Sequence, residues 1–298
     1  MDRLGAKATV GILGLGNMGR PLAENVLKAG FPLTVWNRSE EKGKPLVDLG
    51  AAWARSPREA AEACQILVTV LADAAAVREV LLGRRGVIEA QEKAPLIVDM
   101  STIAPQETRA IAETLGERGF TMLDAPISGS TKMAEDAAVT ILVGGDAKAL
   151  ETARPVLEAM GKAIYHMGEN GMGCYMKLVN NVILASVLGG FAEAFVLGRK
   201  AGLSGDRMLD VVLHGSAACP LLEFKGKVIA AHDFTPTFRL RMMRKDLSLA
   251  LTTADGLRVP MPLTSVLNEL HQAGIAQGLG EDDFSSIVRV FEGLAAVP

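Results

Sequence analysis

Val10-Gly11-Ile12-Leu13-Gly14-Leu15-Gly16-Asn17-Met18-Gly19 decides the fold: an apolar run of strand length enters a glycine-rich turn, and the turn opens a helix. The three glycines of this G-x-G-x-x-G have separate jobs. Gly14 permits the tight turn, Gly16 lets the backbone approach a pyrophosphate, and Gly19 lets the helix pack close to the strand. The helix N-terminus then turns its N–H groups toward the anion. The motif alone is weak, and its surroundings make it specific. An apolar strand precedes it (Thr9 to Leu13), an amphipathic helix follows (Met18 to Ala29) and stops at Gly30, and a second strand covers Leu33 to Trp36. This βαβ unit predicts a dinucleotide held by Gly14, Leu15, Gly16, Asn17, Met18 and Gly19.

The second strand runs into Asn37-Arg38-Ser39. An acidic residue at this point would hold the ribose 2′-hydroxyl of NAD and repel a 2′-phosphate. None is present. Arg38 offers a permanently charged planar fork suited to phosphate, and Asn37 and Ser39 add neutral hydrogen-bonding groups. The expected cofactor is NADP(H).

Strand and helix patterns keep alternating beyond this unit: Ile66 to Val70, Asp73 to Leu82, Leu96 to Asp99, Pro105 to Arg118, and Thr121 to Asp124. Ser56-Pro57-Arg58-Glu59 has the spacing of a capping box and starts a short helix. Val139 to Val143, Ala147 to Met160 and Ala163 to His166 add strand, helix and strand. The pattern is that of an α/β fold, a Rossmann-type doubly wound parallel sheet. Past Gly168 helical periods take over, in Met172 to Ala201, Asp206 to His214, Leu221 to Ala231, Lys245 to Ala254 and Leu263 to Gln277. Two domains follow, 1–167 binding the cofactor and 168–298 all-helical, with a long interdomain helix between them.

The long helix is apolar around most of its circumference, which predicts burial, and a homodimer or homotetramer is expected with this helix in the interface. Leu178 to Gly198 is long enough to cross a bilayer, but Asn180, Asn181 and Glu193 interrupt it, so no membrane span is expected. The 298 residues carry a net charge of −3 without a long basic run, which argues against nucleic acid or an anionic membrane as partner. Cys64, Cys174 and Cys219 are widely spaced, fitting reduced thiols and a cytoplasmic location. The four histidines are scattered, and no metal site is expected.

Three stretches could carry chemistry. Lys177 and Asn181 lie four apart in Gly171-Met172-Gly173-Cys174-Tyr175-Met176-Lys177-Leu178-Val179-Asn180-Asn181 and share one helical face. Asp124-Ala125-Pro126-Ile127-Ser128-Gly129-Ser130 leaves the carboxyl end of a strand, where open α/β sheets bind ligands. There Ser128, Gly129 and Ser130 offer hydroxyls and successive N–H groups to a carboxylate. Asp99-Met100-Ser101-Thr102 ends a neighbouring strand and brings Ser101 and Thr102 to the nicotinamide side.

With these motifs in this order, and Lys245-Asp246 after them, the chain resembles the β-hydroxyacid dehydrogenase family over nearly its whole length. The resemblance implies that Lys177 is the catalytic lysine, that Asn181 helps position substrate, and that Ser128 with the Gly129 and Ser130 amides holds its carboxylate. It also implies that Thr102 and Lys245 contact the cofactor, while Asp246 orients Lys245 or a domain interface. Asn37-Arg38-Ser39 and Ser130 look more like the glyoxylate/succinic semialdehyde reductase branch. The implied reaction is NADPH-dependent reduction of a small carboxylate-bearing aldehyde to a hydroxy acid. 3-Hydroxyisobutyrate or tartronate semialdehyde enzymes are the alternative. An imine reductase ranks lower because Lys177 is present, as does a non-catalytic NADP-binding scaffold. Met133, Phe238 and Met242 are candidate pocket walls.

Overall fold

The computed structural model describes residues 7–90 and 94–297. Contacts divide the chain into two compact units, one reaching Lys177 and the other starting at Leu178.

The first unit contains β1 (Val10–Leu13), α1 (Gly19–Lys28), β2 (Leu33–Trp36), α2 (Lys44–Asp48), β3 (Ala52–Trp53), α3 (Pro57–Glu62), β4 (Ile66–Thr69), α4 (Ala74–Leu82) and β5 (Leu96–Asp99). It continues with α5 (Pro105–Gly116), β6 (Thr121–Asp124), β7 (Ile127–Ser128), α6 (Thr131–Glu135), β8 (Val139–Gly144), α7 (Ala147–Met160) and β9 (Gly161–Gly168). The strands form one sheet in the order β3-β2-β1-β4-β5-β6-β8-β7, with β9 on β8. β1 to β6 are all parallel, with register Ile12↔Val35 on one side of β1 and Ile12↔Val68 on the other. Strand order runs outward both ways from β1, the arrangement that opens a ligand crevice at the carboxyl edge.

The sheet is doubly wound because both faces are apolar. Val10, Ile12, Leu22, Val26, Leu150 and Leu157 pack into the core under α1 and α7. Leu13, Leu67, Ile97, Val77 and Ile111 build the opposite core under α3, α4 and α5. Local chemistry sets the helix starts: Ser56, Asp73 and Asp146 side chains accept the N–H groups of Glu59, Ala76 and Ala149. The parallel pattern breaks after β6, where β8 runs antiparallel to both β6 and β7. The connection from β6 to β8 holds only β7 and the five-residue α6, with no helix able to carry the chain across the sheet.

α8 (Met172–Lys200) starts in the first unit and runs on as the first element of the second, followed by α9 (Gly205–His214), α10 (Pro220–Ala231), α11 (Leu240–Leu257), α12 (Pro262–Ala276) and α13 (Ile287–Ala295). α11 begins five residues before the expected Lys245, and α13 carried no signal that the sequence reading used. The core of this unit gathers Leu188, Phe195, Leu222, Leu240, Leu247, Leu267 and Ile287. α8 is not buried all round: Val179, Ile183 and Leu197 are exposed on it, the last at 73 %. One helical layer covers one side of such a helix and leaves the other side open.

Candidate active site

The glycine loop sits at the carboxyl edge of β1. Gly14 has φ +99°, and a Cβ there would stand 2.3 Å from the Val70 carbonyl oxygen. At Gly19 a Cβ would stand 1.9 Å from the Gly14 carbonyl oxygen. Gly16 differs, since among the described residues nothing beyond its own chain neighbours lies within 4 Å of where its Cβ would be. Packing therefore requires Gly14 and Gly19, while the space beside Gly16 is open for a group approaching the backbone. α1 starts at Gly19, its N-cap Met18 supplies no side-chain hydrogen bond, and its first turn holds no acidic residue. Its leading N–H groups and positive end suit a pyrophosphate, so the loop fits a dinucleotide. Leu15 and Asn17 lie on the same turn.

Asn37 braces this loop: its Oδ1 accepts the Leu15 N–H at 3.0 Å, and its Nδ2 donates to the Ser39 carbonyl at 2.9 Å. Arg38 is exposed and lines a cavity of ≈ 380 Å³ with Trp36, Asn37, Glu40, Trp53 and Arg55.

Farther along the edge, Asp99 at the end of β5 is fully buried. Its Oδ1 accepts Thr69 Oγ1 at 2.7 Å and the Ser101 N–H at 3.1 Å, and its Oδ2 has no hydrogen-bond partner among the described residues. Burial pushes its pKa up to about 6 against those hydrogen bonds, and the nearby Asp124 charge adds to the rise. Ser101 Oγ accepts the Leu71 N–H at 2.9 Å, fixing the turn that leads to the half-buried Thr102.

Ser128 closes β7 and is half-buried, and Gly129 follows with φ +152°. The Ser130 hydroxyl accepts the Met133 N–H at 3.3 Å and caps α6. Met133 is exposed on that helix.

Asp124, at the end of β6, accepts the N–H of Gly171 on Oδ1 at 2.7 Å and that of Cys174 on Oδ2 at 2.9 Å. A buried carboxylate thus satisfies the positive start of α8. The approach leaves no room for side chains: a Cβ at Gly173 would lie 2.2 Å from the Leu142 carbonyl oxygen, and one at Gly144 2.6 Å from Asp124 Oδ1. Lys177 follows Cys174 by three residues and is 8 % exposed. A lysine is thereby held largely out of water on a helix whose beginning is anchored.

Within the second unit, Asn181 is buried and donates from Nδ2 to Asp246 Oδ2 at 2.6 Å. Lys245 Nζ lies 3.2 Å from Asp246 Oδ1. One carboxylate therefore joins Asn181 to Lys245. Phe238 packs edge-on against Phe284 with centroids 5.8 Å apart, and Met242 is half-buried on α11.

Residues 9–168 match the model of the NAD binding domain of 6-phosphogluconate dehydrogenase, and residues 171–291 match that for the NAD-binding region of NADP-dependent 3-hydroxyisobutyrate dehydrogenase. Over 291 residues the chain is 36% identical to glyoxylate/succinic semialdehyde reductase 2, chloroplastic, of Arabidopsis thaliana, covering 98% of this chain and 81% of that one. The chain belongs to the β-hydroxyacid dehydrogenase family. An NAD-dependent L-serine dehydrogenase of Pseudomonas aeruginosa is also 36% identical, over 95% of this chain and 97% of its own. The solved Mycobacterium tuberculosis 3-hydroxyisobutyrate dehydrogenase with L-serine has a TM-score of 0.87 at 33% identity, covering 95% of this chain and 98% of that one. As a β-hydroxyacid dehydrogenase, the protein is an oxidoreductase that uses a nicotinamide dinucleotide.

Four features of this β-hydroxyacid dehydrogenase escaped the sequence reading. They are the Asn37 brace, the Asp124 clamp, the Asn181–Asp246 bond and Arg55 beside the Arg38 cavity. A signal existed for the clamp alone: Gly171 and Gly173 before an apolar helix mark close backbone approach, which a buried strand-end carboxylate then explains.

Proposed function

We propose that this chain catalyses NADPH-dependent reduction of small aldehyde acids, with glyoxylate and succinic semialdehyde as the first candidates, to the corresponding hydroxy acids. The observation that carries the reading is Lys177: a lysine 8 % exposed, placed one turn into a helix that Asp124 anchors. A lysine at this place suits a carbonyl oxygen that gains negative charge as the hydride arrives.

In this reading Lys177 hydrogen-bonds the carbonyl oxygen and delivers the proton as general acid. In the oxidative direction its neutral amine accepts that proton. Ser128 and the amides of Gly129 and Ser130 hold the substrate carboxylate, and Asn181 orients the substrate. The glycine loop from Gly14 to Gly19 holds the pyrophosphate, Thr102 and Lys245 contact the cofactor, and Arg38 with Ser39 receives the 2′-phosphate. The bound nicotinamide supplies the hydride. 3-Hydroxyisobutyrate and tartronate semialdehyde carry the same pairing of carboxylate with carbonyl or hydroxyl, and they form the alternative substrate set.

The exposed apolar stripe of α8, with Val179, Ile183 and Leu197, supports a homodimer or homotetramer built on this helix. The buried free thiols of Cys64 and Cys174 suit a reducing, cytoplasmic setting.

The test follows consumption of NADPH, and of NADH in parallel, by the purified chain against glyoxylate, succinic semialdehyde and branched semialdehydes. NADPH-preferring turnover of the unbranched acids is the expected result. NADH preference overturns the Arg38 assignment, and absence of turnover with every carbonyl acid overturns the reductase reading.

A further inference from the structure

β2 and β3 are neighbours and parallel, with Val35 opposite Trp53, and the Ala54 N–H donates to the Val35 carbonyl at 3.0 Å. The segments leaving the two strands therefore emerge side by side at the carboxyl edge. Arg38 stands two residues past the end of β2 and Arg55 two past the end of β3. Both line the ≈ 380 Å³ cavity, whose other walls are Trp36, Asn37, Glu40 and Trp53. The Trp53 wall is fixed, because its indole lies where a Cβ on Gly43 would come within 2.3 Å. Arg55 is fixed at its backbone, since its N–H donates to Glu59 Oε2 at 2.9 Å.

The side chain of Asn37 is engaged with Leu15 and Ser39, which leaves the two guanidinium groups as the charged donors of the cavity. Among the described residues neither is paired with a carboxylate. Glu40 is the acidic group in the lining and offsets one of them. With Arg38 alone the lining has no net positive charge, and Arg55 makes it positive. A phosphate monoester carries roughly 1.5 to 2 negative charges near neutrality and is bound best by planar forks.

We propose that Arg55 is a second arginine for the ribose 2′-phosphate, closing with Arg38 a two-guanidinium clamp across the ends of β2 and β3 and setting the preference for NADPH over NADH. This inference rests on the NADPH reading of Arg38, and the experiment separates the two. Calorimetric titration with 2′,5′-ADP, and with 5′-AMP, which lacks only the 2′-phosphate, is performed on the full chain and on its R38A and R55A variants. kcat/KM is measured with both reduced cofactors. Arg55 is exposed, so R55A leaves the fold in place.

The expected result for R55A is about tenfold or greater weakening for 2′,5′-ADP, 5′-AMP affinity unchanged within about twofold, and a matching loss of NADPH preference. Equal weakening for both nucleotides places Arg55 on the adenine and overturns the clamp. A full loss in R38A with none in R55A overturns Arg55 alone. No 2′-phosphate dependence in wild type or either variant overturns the NADPH reading together with the clamp.

Discussion

Asp124 and Gly171 are joined by a 2.7 Å hydrogen bond from the Gly171 N–H to Oδ1, and the second carboxylate oxygen takes the Cys174 N–H, so the end of β6 caps the helix that carries Lys177. The bonds are buried, which makes their loss expensive. Asp124→Ala leaves two N–H groups without an acceptor and is expected to destabilise the protein by about 2–4 kcal/mol. Asp124→Asn keeps one acceptor and loses less. Urea unfolding of the three proteins measures this, and an Asp124→Ala variant as stable as wild type contradicts the clamp.

Lys177→Met keeps the volume of the aliphatic stem and removes the ammonium. The expected loss in kcat is about 10²–10⁴-fold, with cofactor affinity unchanged, because in the proposed reaction the lysine acts on the carbonyl and not on the dinucleotide. Stopped-flow turnover and fluorescence titration with NADPH measure the two parts. Wild type and variant equally inactive would favour a non-catalytic scaffold.

Lys177 was legible because a cation at the start of an apolar run is conspicuous. Asp124 reads in sequence only as a strand end, because its partners lie 47 and 50 residues away and backbone N–H groups carry no sequence signature. The same holds for Asn181 and Asp246, bonded across 65 residues.

Asp99 makes the stability depend on pH. Burial pushes its pKa up to about 6, above the ordinary aspartate range, so the folded state holds its proton more tightly. Between about pH 4 and pH 6 the unfolded chain has already released that proton, and stability falls as the pH rises; above pH 6 the whole penalty is present, of order 2–3 kcal/mol. Asp99→Asn keeps an acceptor for Thr69 and Ser101 and carries no charge. The variant is expected to be the more stable protein at pH 8, with the difference vanishing near pH 4, by thermal or urea unfolding at each pH. A difference independent of pH contradicts the assignment.

Lys225 and Asp283 form a buried ion pair in the second unit, with Nζ 2.6 Å from both carboxylate oxygens and 2.8 Å from Thr237 Oγ1. Asp283 also accepts the N–H groups of Thr237, Phe238 and Ser285, tying the start of α11 to the turn before α13. Lys225→Met strands a buried carboxylate and is expected to cost about 3–5 kcal/mol. Arg20→Ala breaks the exposed Arg20–Glu24 pair and is expected to cost under about 1 kcal/mol. Unfolding of both variants in one denaturant series gives the comparison, and equal small losses would show that the buried pair contributes nothing special.

Sequence by itself determined the alternation of strands and helices, the dinucleotide loop, the change to helices after Gly168 and the family. Each is written in periods and motifs that operate over a few neighbouring residues, where hydrophobic spacing and glycine freedom act locally. Tertiary structure alone decided the antiparallel turn of β8, the open stripe on α8, the commitment of Asn37 to Leu15, the clamp of Asp124 on α8 and the meeting of Arg38 with Arg55. These depend on which strand ends lie side by side and which backbone groups they leave unsatisfied. Such pairings join residues far apart in the chain, and the physical demand that buried polar groups find partners appears only once the chain has folded.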